Sequence, residues 1–239
     1  MSGNGTAIIV GVGPGLGAAL CRRFAREGMN VAVAARDVAK TEKIVAEVNG
    51  LGGGTAKGFS VDTTDEAAVE KLFDDVSGDW GVPDVAIYNA GAFMKASILD
   101  ATAADFKRCW EANCYGGFLV GRAAATRMTP RGSGSILFTG ATASKRGSAK
   151  FFNLSVGKFG LLALAQAMAR ELGPEGIHVA HVIIDGQINA GRHVKLAAER
   201  PPDALLEPDD IAETYWQLHS QKRSVWAFDV DLRPWVEKF

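Results

Sequence analysis

The sequence predicts a single α/β domain built on a seven-stranded parallel sheet, doubly wound so that helices cover both faces. Three observations predict it. Short Val- and Ile-rich runs alternate with longer stretches of helical period, and a glycine-rich turn joins the first strand to the first helix. The third is size: 239 residues with 47% hydrophobic content suffice to bury one core.

Ala7–Val12 reads as the first strand. From Gly15 to about Gly28, Leu16, Ala19, Leu20 and Phe24 recur at three- and four-residue spacings, which predicts the first helix. Asn30–Ala35 is the second strand, and Lys40–Val48 a helix closed by Gly50. Ala56–Val61, Glu66–Val76 and Val82–Tyr88 repeat the alternation as strand, helix, strand. A long helix over about 105–128 ends at Thr129-Pro130, because proline cannot continue it. Ser135–Thr139 is the fifth strand. Phe152–Leu172 is a second long helix stopped by Gly173-Pro174, and Ile177–Ile184 the sixth strand. The least regular connection, 189–207, carries Pro201-Pro202 and has the length of a lid over a site. A last helix begins near Pro208-Asp209-Asp210, and Val225–Val230 completes the seven strands.

Composition excludes several function classes. A formal net charge of -1 with scattered Lys and Arg leaves no basic excess to neutralise a phosphate backbone, so nucleic acid is not an expected partner. Met1 to Val10 lacks the regions of a signal peptide, and no apolar run reaches the roughly 18 residues of a membrane span, so the expectation is a soluble cytoplasmic protein. Cys21, Cys109 and Cys114 show no Cys-x-x-Cys spacing and read as reduced, mostly buried thiols. His193 and His219 are isolated, and His178 and His181, three apart on a strand, point to opposite faces. No metal is expected.

Gly11-Val12-Gly13-Pro14-Gly15-Leu16-Gly17 lies between strand and helix, where the backbone can bring amide hydrogens and a helix N-terminus against a pyrophosphate. A turn that merely needs positive φ uses the same residue type. The second strand ends at Ala35-Arg36, where an acid would hold the adenosine ribose of NAD. Arg36 suits a 2′-phosphate instead, and so favours NADP over NAD, while the adjacent Asp37 works against that preference.

The glycine loop, Asp62 after the third strand, Asn89-Ala90-Gly91 after the fourth, Asn113, Lys158 and Gly186 follow one another as in the short-chain dehydrogenase/reductase family, which the whole chain resembles. The resemblance implies a Rossmann-type sheet, an NADP or NAD cofactor, a small-molecule substrate, and a homodimer or homotetramer built on the two long helices. It places Gly11, Gly13, Gly15, Leu16 and Gly17 at the pyrophosphate and Asp62 with Thr63 at the adenine. Asn89, Ala90 and Gly91 line the ribose, Lys158 holds the nicotinamide ribose hydroxyls, and Ile188 approaches the carboxamide.

In that family a tyrosine moves the proton on the substrate oxygen, a lysine lowers its pKa, a serine holds the oxygen, and an asparagine anchors a water to the lysine. Here Asn113 and Lys158 remain, but the serine place holds Ala141 and the tyrosine place Leu154. The only tyrosines, Tyr88, Tyr115 and Tyr215, precede no lysine at the fourth position. Tyr115 lies two positions from Asn113 and faces elsewhere on its helix. The sequence also has Val10 for the family threonine, Tyr88 for the first asparagine of Asn-Asn-Ala-Gly, and Asp185 for a proline. It thus resembles a divergent branch with Tyr-Asn-Ala-Gly, Thr-Gly-Ala-Thr-Ala-Ser and Ile-Asp-Gly.

Losing one positioned acid costs about 10²–10⁴ in rate while a bound cofactor still supplies proximity, so the loss weakens catalysis without excluding it. Lys158 in an apolar surround, a buried Asp185, or the hydroxyls of Thr142 and Ser144 are candidate substitutes. Their plain readings are ribose binding for Lys158, loop capping for Asp185 and loop positions for the other two. Two functions follow. One is an NADP-dependent oxidoreductase on a small carbonyl or alcohol, apolar because Phe93, Met94, Phe151 and Phe152 line its pocket. The other is a cofactor-binding pseudoenzyme that acts as a sensor or partner subunit.

Overall fold

The computed structural model describes residues 5–237. These form one parallel sheet of seven strands: β1 (Thr6–Val10), β2 (Asn30–Ala35), β3 (Ala56–Ser60), β4 (Val85–Tyr88), β5 (Gly134–Thr139), β6 (Ile177–Ile184) and β7 (Asp229–Leu232). Their order is β3-β2-β1-β4-β5-β6-β7, so the winding reverses between β1 and β4. Successive side chains alternate across the sheet. Ala7 and Ile9 therefore enter a core shared with helices α1 (Leu16–Arg26) and α8 (Pro208–His219). Ile8 and Val10 enter the opposite core, with α3 (Glu66–Trp80), α5 (Gly116–Met128) and α6 (Phe152–Leu172). The remaining helices are α2 (Glu42–Asn49), α4 (Ala103–Trp110) and the one-turn α7 (Val194–Ala197).

Several sequence-based boundaries move, each for a local reason. The first strand ends at Val10, two residues early, because Gly11 turns to φ +87° and both Gly11 and Val12 donate to the Ala34 carbonyl. Val82 and Pro83 stay outside β4. The helix expected from Lys40 begins with a 3-10 turn, Val38–Thr41, and is helical only from Glu42. The seventh strand is not Val225–Val230. Arg223–Val225 is a 3-10 turn, and the Gln221 side chain caps the Ala227 amide, so ladder pairing starts at Asp229 against His181.

The long helix over 105–128 is broken by a π-helical turn, Glu111–Tyr115, between α4 and α5. Asn113 causes it. Its side-chain amide donates to the Cys109 carbonyl at 2.8 Å, taking the place of a backbone donor, and the ladder reopens with Gly116 N–H bonded back to Glu111. The Ala112 carbonyl accepts the Tyr88 hydroxyl at 2.6 Å.

Among the described residues α6 is the one helix long and apolar enough on average to cross a bilayer, although Lys158 interrupts its apolar run. It packs along β6 and the π turn with Lys158 buried inside the fold. The reading of Met1 to Val10 as lacking a signal peptide falls partly outside the described residues. The 189–207 connection is less irregular than its composition suggests, with a 3-10 turn at Gly191–His193, α7, and a parallel bridge from Ile188 to Leu206.

Candidate active site

Ligands bind doubly wound sheets at the carboxyl ends of the strands, beside the point where strand order reverses. There this chain opens a cleft of about 800 Å³. Gly11, Gly13, Arg36, Asp62, Thr63, Asn89, Ala90 and Gly91 all line it. A Cβ on Gly11 would fall on the Ala90 backbone, so the glycine turn and the strand after it touch main chain to main chain. Asn89 fastens the same contact by donating to the Gly11 carbonyl at 3.1 Å. Asp62 accepts from the Thr64 amide and hydroxyl, which hold its carboxyl below the usual range.

The other expected cofactor residues sit around this cleft without forming its wall. Gly15 caps α1, whose first residues Leu16 and Gly17 are buried, and approaches Ala190 of the 189–207 segment. Ile188 is held by its bridge to Leu206. Sequence reading missed Lys40 and Glu111, which also line the cleft. Lys40 pairs with Asp37 at 3.0 Å and draws the Asp37 carboxyl below its ordinary range, so Asp37 is engaged away from Arg36.

Asn113 and Lys158 come together beside Gly91, which lines the cleft. A Cβ built at Gly91 would lie 2.8 Å from Asn113 Oδ1 and 3.8 Å from Lys158 Nζ. Asn113 Nδ2 donates to the Ala92 carbonyl at 2.6 Å, while its Oδ1 is buried and takes no hydrogen bond from a described residue. Lys158, only 6% exposed, donates from Nζ to the Thr139 carbonyl at 2.7 Å. Burial lowers its pKa from 10.5 to about 8.

Ala141 and Leu154 have no polar side chain to offer. The Ala141 amide donates to Ser144 Oγ at 3.2 Å. That hydroxyl is fully buried and faces His181 Nε2 at 3.5 Å, with Asp229 3.5 Å from the other ring nitrogen. Ser144 is thus turned inward. Thr142 donates to Asp185 Oδ1 at 2.5 Å, and Asp185 also pairs with Arg233 at 3.3 Å. Asp185 is therefore engaged by a hydroxyl and a guanidinium of neighbouring loops. Tyr115 stacks between Trp110 and Phe118, away from Asn113. Of the expected apolar lining, Phe93 stacks on Phe151 at 5.1 Å, whereas Phe152 pairs with Phe106.

A glycine turn at the strand reversal, beside a buried lysine, is the arrangement of a Rossmann-type dinucleotide-binding domain. More particularly, the chain belongs to the short-chain dehydrogenase family, whose sequence model it matches over residues 5–200. It is 31% identical over 214 residues to sorbitol-6-phosphate 2-dehydrogenase of Escherichia coli (strain K12), covering 89% of this chain and 83% of that relative. Among solved structures it resembles a short-chain dehydrogenase from Rhodopseudomonas palustris at 37% identity and TM-score 0.85, over 97% and 99% of the two chains. A metagenomic short-chain oxidoreductase in complex with NADP superposes with TM-score 0.84 at 26% identity, over 96% of this chain and 97% of that one.

Proposed function

We propose that this protein is an NADP-dependent oxidoreductase acting on a small carbonyl or alcohol with a largely apolar body, and that Lys158 moves the proton that the family tyrosine would otherwise move. The observation that carries the reading is the buried ammonium of Lys158, placed between Asn113 and the loop after β5 with its pKa near 8. An amine so poised exchanges a proton close to neutral pH, which is what general acid–base work requires.

The residues fit the dinucleotide. The Gly11 cradle admits no side chain, the N-terminus of the eleven-residue α1 faces the turn, and Arg36 on the rim is the group a 2′-phosphate needs. When bound, the nicotinamide supplies or accepts the hydride. In reduction, Lys158 passes one proton to the carbonyl oxygen as the hydride reaches its carbon, leaving a neutral amine. Asn113 holds the turn against which the lysine is placed, and the Phe93–Phe151 stack offers the apolar part of the substrate a surface to pack on. The similarity to a sorbitol-6-phosphate 2-dehydrogenase supports the oxidoreductase part of this reading, and the neighbour in complex with NADP supports the cofactor.

The exposed apolar side chains Trp110, Phe118, Val156 and Phe159, on or beside the long helices, suit burial against a second copy, giving a homodimer or homotetramer.

The test is kinetic. Purified protein should oxidise NADPH with a panel of apolar aldehydes and ketones, and Lys158→Ala should remove that turnover. Tight NADPH binding without turnover across the panel would instead favour the cofactor-binding pseudoenzyme.

A further inference from the structure

A second cavity, of about 560 Å³, lies at the carboxyl ends of β5, β6 and β7. It is lined by Thr142, Lys145, Arg146, Asp185, Asp231 and Arg233. Three of these side chains are cations and two are carboxylates, so the wall carries a net positive charge although the chain as a whole is slightly negative.

The pairing inside the cavity is uneven. Asp231 is 2.7 Å from Lys145 and 3.2 Å from Arg233. Asp185 takes the Thr142 hydroxyl and Arg233, as described above. Both carboxylates are therefore satisfied without the remaining cation. Arg146 meets Asp185 only at 4.0 Å, with 48% of its side chain exposed. A guanidinium presents a planar fork of donors that matches a carboxylate or phosphate, and one contact at that distance leaves the fork largely unused.

The cavity also adjoins the reaction centre. Thr142 is one Cα step, about 3.8 Å, beyond Ala141, and Lys158 is anchored on Thr139 at the start of the same loop. Thr142 of the cavity wall and Thr139, the anchor of Lys158, thus lie on the same short stretch of chain after β5. Neutral carbonyl compounds have no use for such a wall.

Resting on the oxidoreductase reading, we propose that the substrate is an acidic carbonyl compound, or the matching hydroxy acid, whose carboxylate or phosphate is received by Arg146 on the rim of this cavity. Lys145 and Arg233 neutralise Asp231 and Asp185, so the net positive charge of the wall is that of Arg146. The shared chemistry is a small anion held by a guanidinium fork a few bonds from the reacting carbon.

Three matched aldehydes test it: para-carboxybenzaldehyde, para-formylphenyl phosphate and the neutral para-tolualdehyde, assayed with NADPH on wild type, Arg146→Ala and Arg146→Lys. In parallel, calorimetry follows benzoate and phenyl phosphate binding to the NADPH-loaded proteins. At least one anionic aldehyde should have a KM about tenfold or more below that of para-tolualdehyde, the gain expected from a charge-assisted hydrogen bond. Arg146→Ala should erase that advantage, and Arg146→Lys should restore part of it. The ratio between the two anionic aldehydes tells carboxylate from phosphate. Equal KM values for all three aldehydes, or an advantage untouched by Arg146→Ala, would overturn the inference. If no aldehyde turns over while an anion still binds in an Arg146-dependent way, the anion site stands and the oxidoreductase reading fails. Absence of Arg146-dependent binding sinks the site itself.

Discussion

The ammonium of Lys158 donates to the carbonyl of Thr139 at 2.7 Å, tying the middle of α6 to the last residue of β5. Burial sets its pKa near 8, so the proton is available at neutral pH and is lost above it. Carbonyl reduction should therefore slow as pH rises through about 8, and alcohol oxidation should speed up over the same range. Lys158→Ala should lower kcat by about 10²–10⁴. Lys158→Arg keeps the charge but cannot release the proton, and should rescue little. Steady-state profiles of both directions check all three.

The same burial is a stability statement. The folded pKa of Lys158 lies below its unfolded value of 10.5. Between about 8 and 10.5 the unfolded chain binds the extra proton, so wild type gains stability relative to Lys158→Met as pH rises through that window. The full gain is about 3 kcal/mol. Urea unfolding of the two proteins across the window measures it.

Arg36 lines the cofactor cleft while Asp37 is drawn to Lys40. Arg36→Ala should weaken NADPH binding about tenfold or more, the worth of a charge-assisted contact, and change NADH binding little. Fluorescence titration with both nucleotides reads the difference.

The Tyr88 hydroxyl donates to the Ala112 carbonyl at 2.6 Å, within the π turn. Tyr88→Phe should cost about 1 kcal/mol, the worth of the hydrogen bond to the Ala112 carbonyl that it removes. Denaturant unfolding gives the loss. A kcat decrease beyond that of a remote destabilising variant would show that the turn positions Asn113.

Burial lowers the pKa of His178, His181 and His219, for His181 against the pull of Asp229. Below about pH 6.5 the unfolded chain takes up protons that these folded rings refuse, so stability falls as pH drops from there. His181→Gln should flatten part of that slope in unfolding curves taken on both sides of pH 6.5.

Much of the architecture was legible, because burial on two faces writes its own periodicity. β2, α6 and β6 fall where composition places them, since each is bounded by glycine, proline or a sharp change of period. The seventh strand was misplaced because Val225 looks like strand and is exposed, whereas the acid-flanked Asp229–Leu232 pairs at the sheet edge. Eight of the expected nucleotide residues line one cleft, since each immediately follows a strand and all strands point the same way. Arg146 and Arg233 carried no signal. They are ordinary surface residues in sequence and acquire meaning only beside Asp185 and Asp231.

From its residues alone this chain determined a doubly wound parallel sheet, a glycine turn at its first crossing, and a reaction centre that keeps a lysine and an asparagine while lacking the usual hydroxyls. Those are local properties, set by periodicity and by which residue types stand after each strand. The tertiary structure decided which groups are dry and which are paired. It buried Lys158, turned Ser144 inward toward His181, tied Asp185 to Arg233 and left Arg146 the loosest cation of its cavity. Burial and pairing depend on distances between residues far apart in the chain, and these exist only once the strands lie side by side.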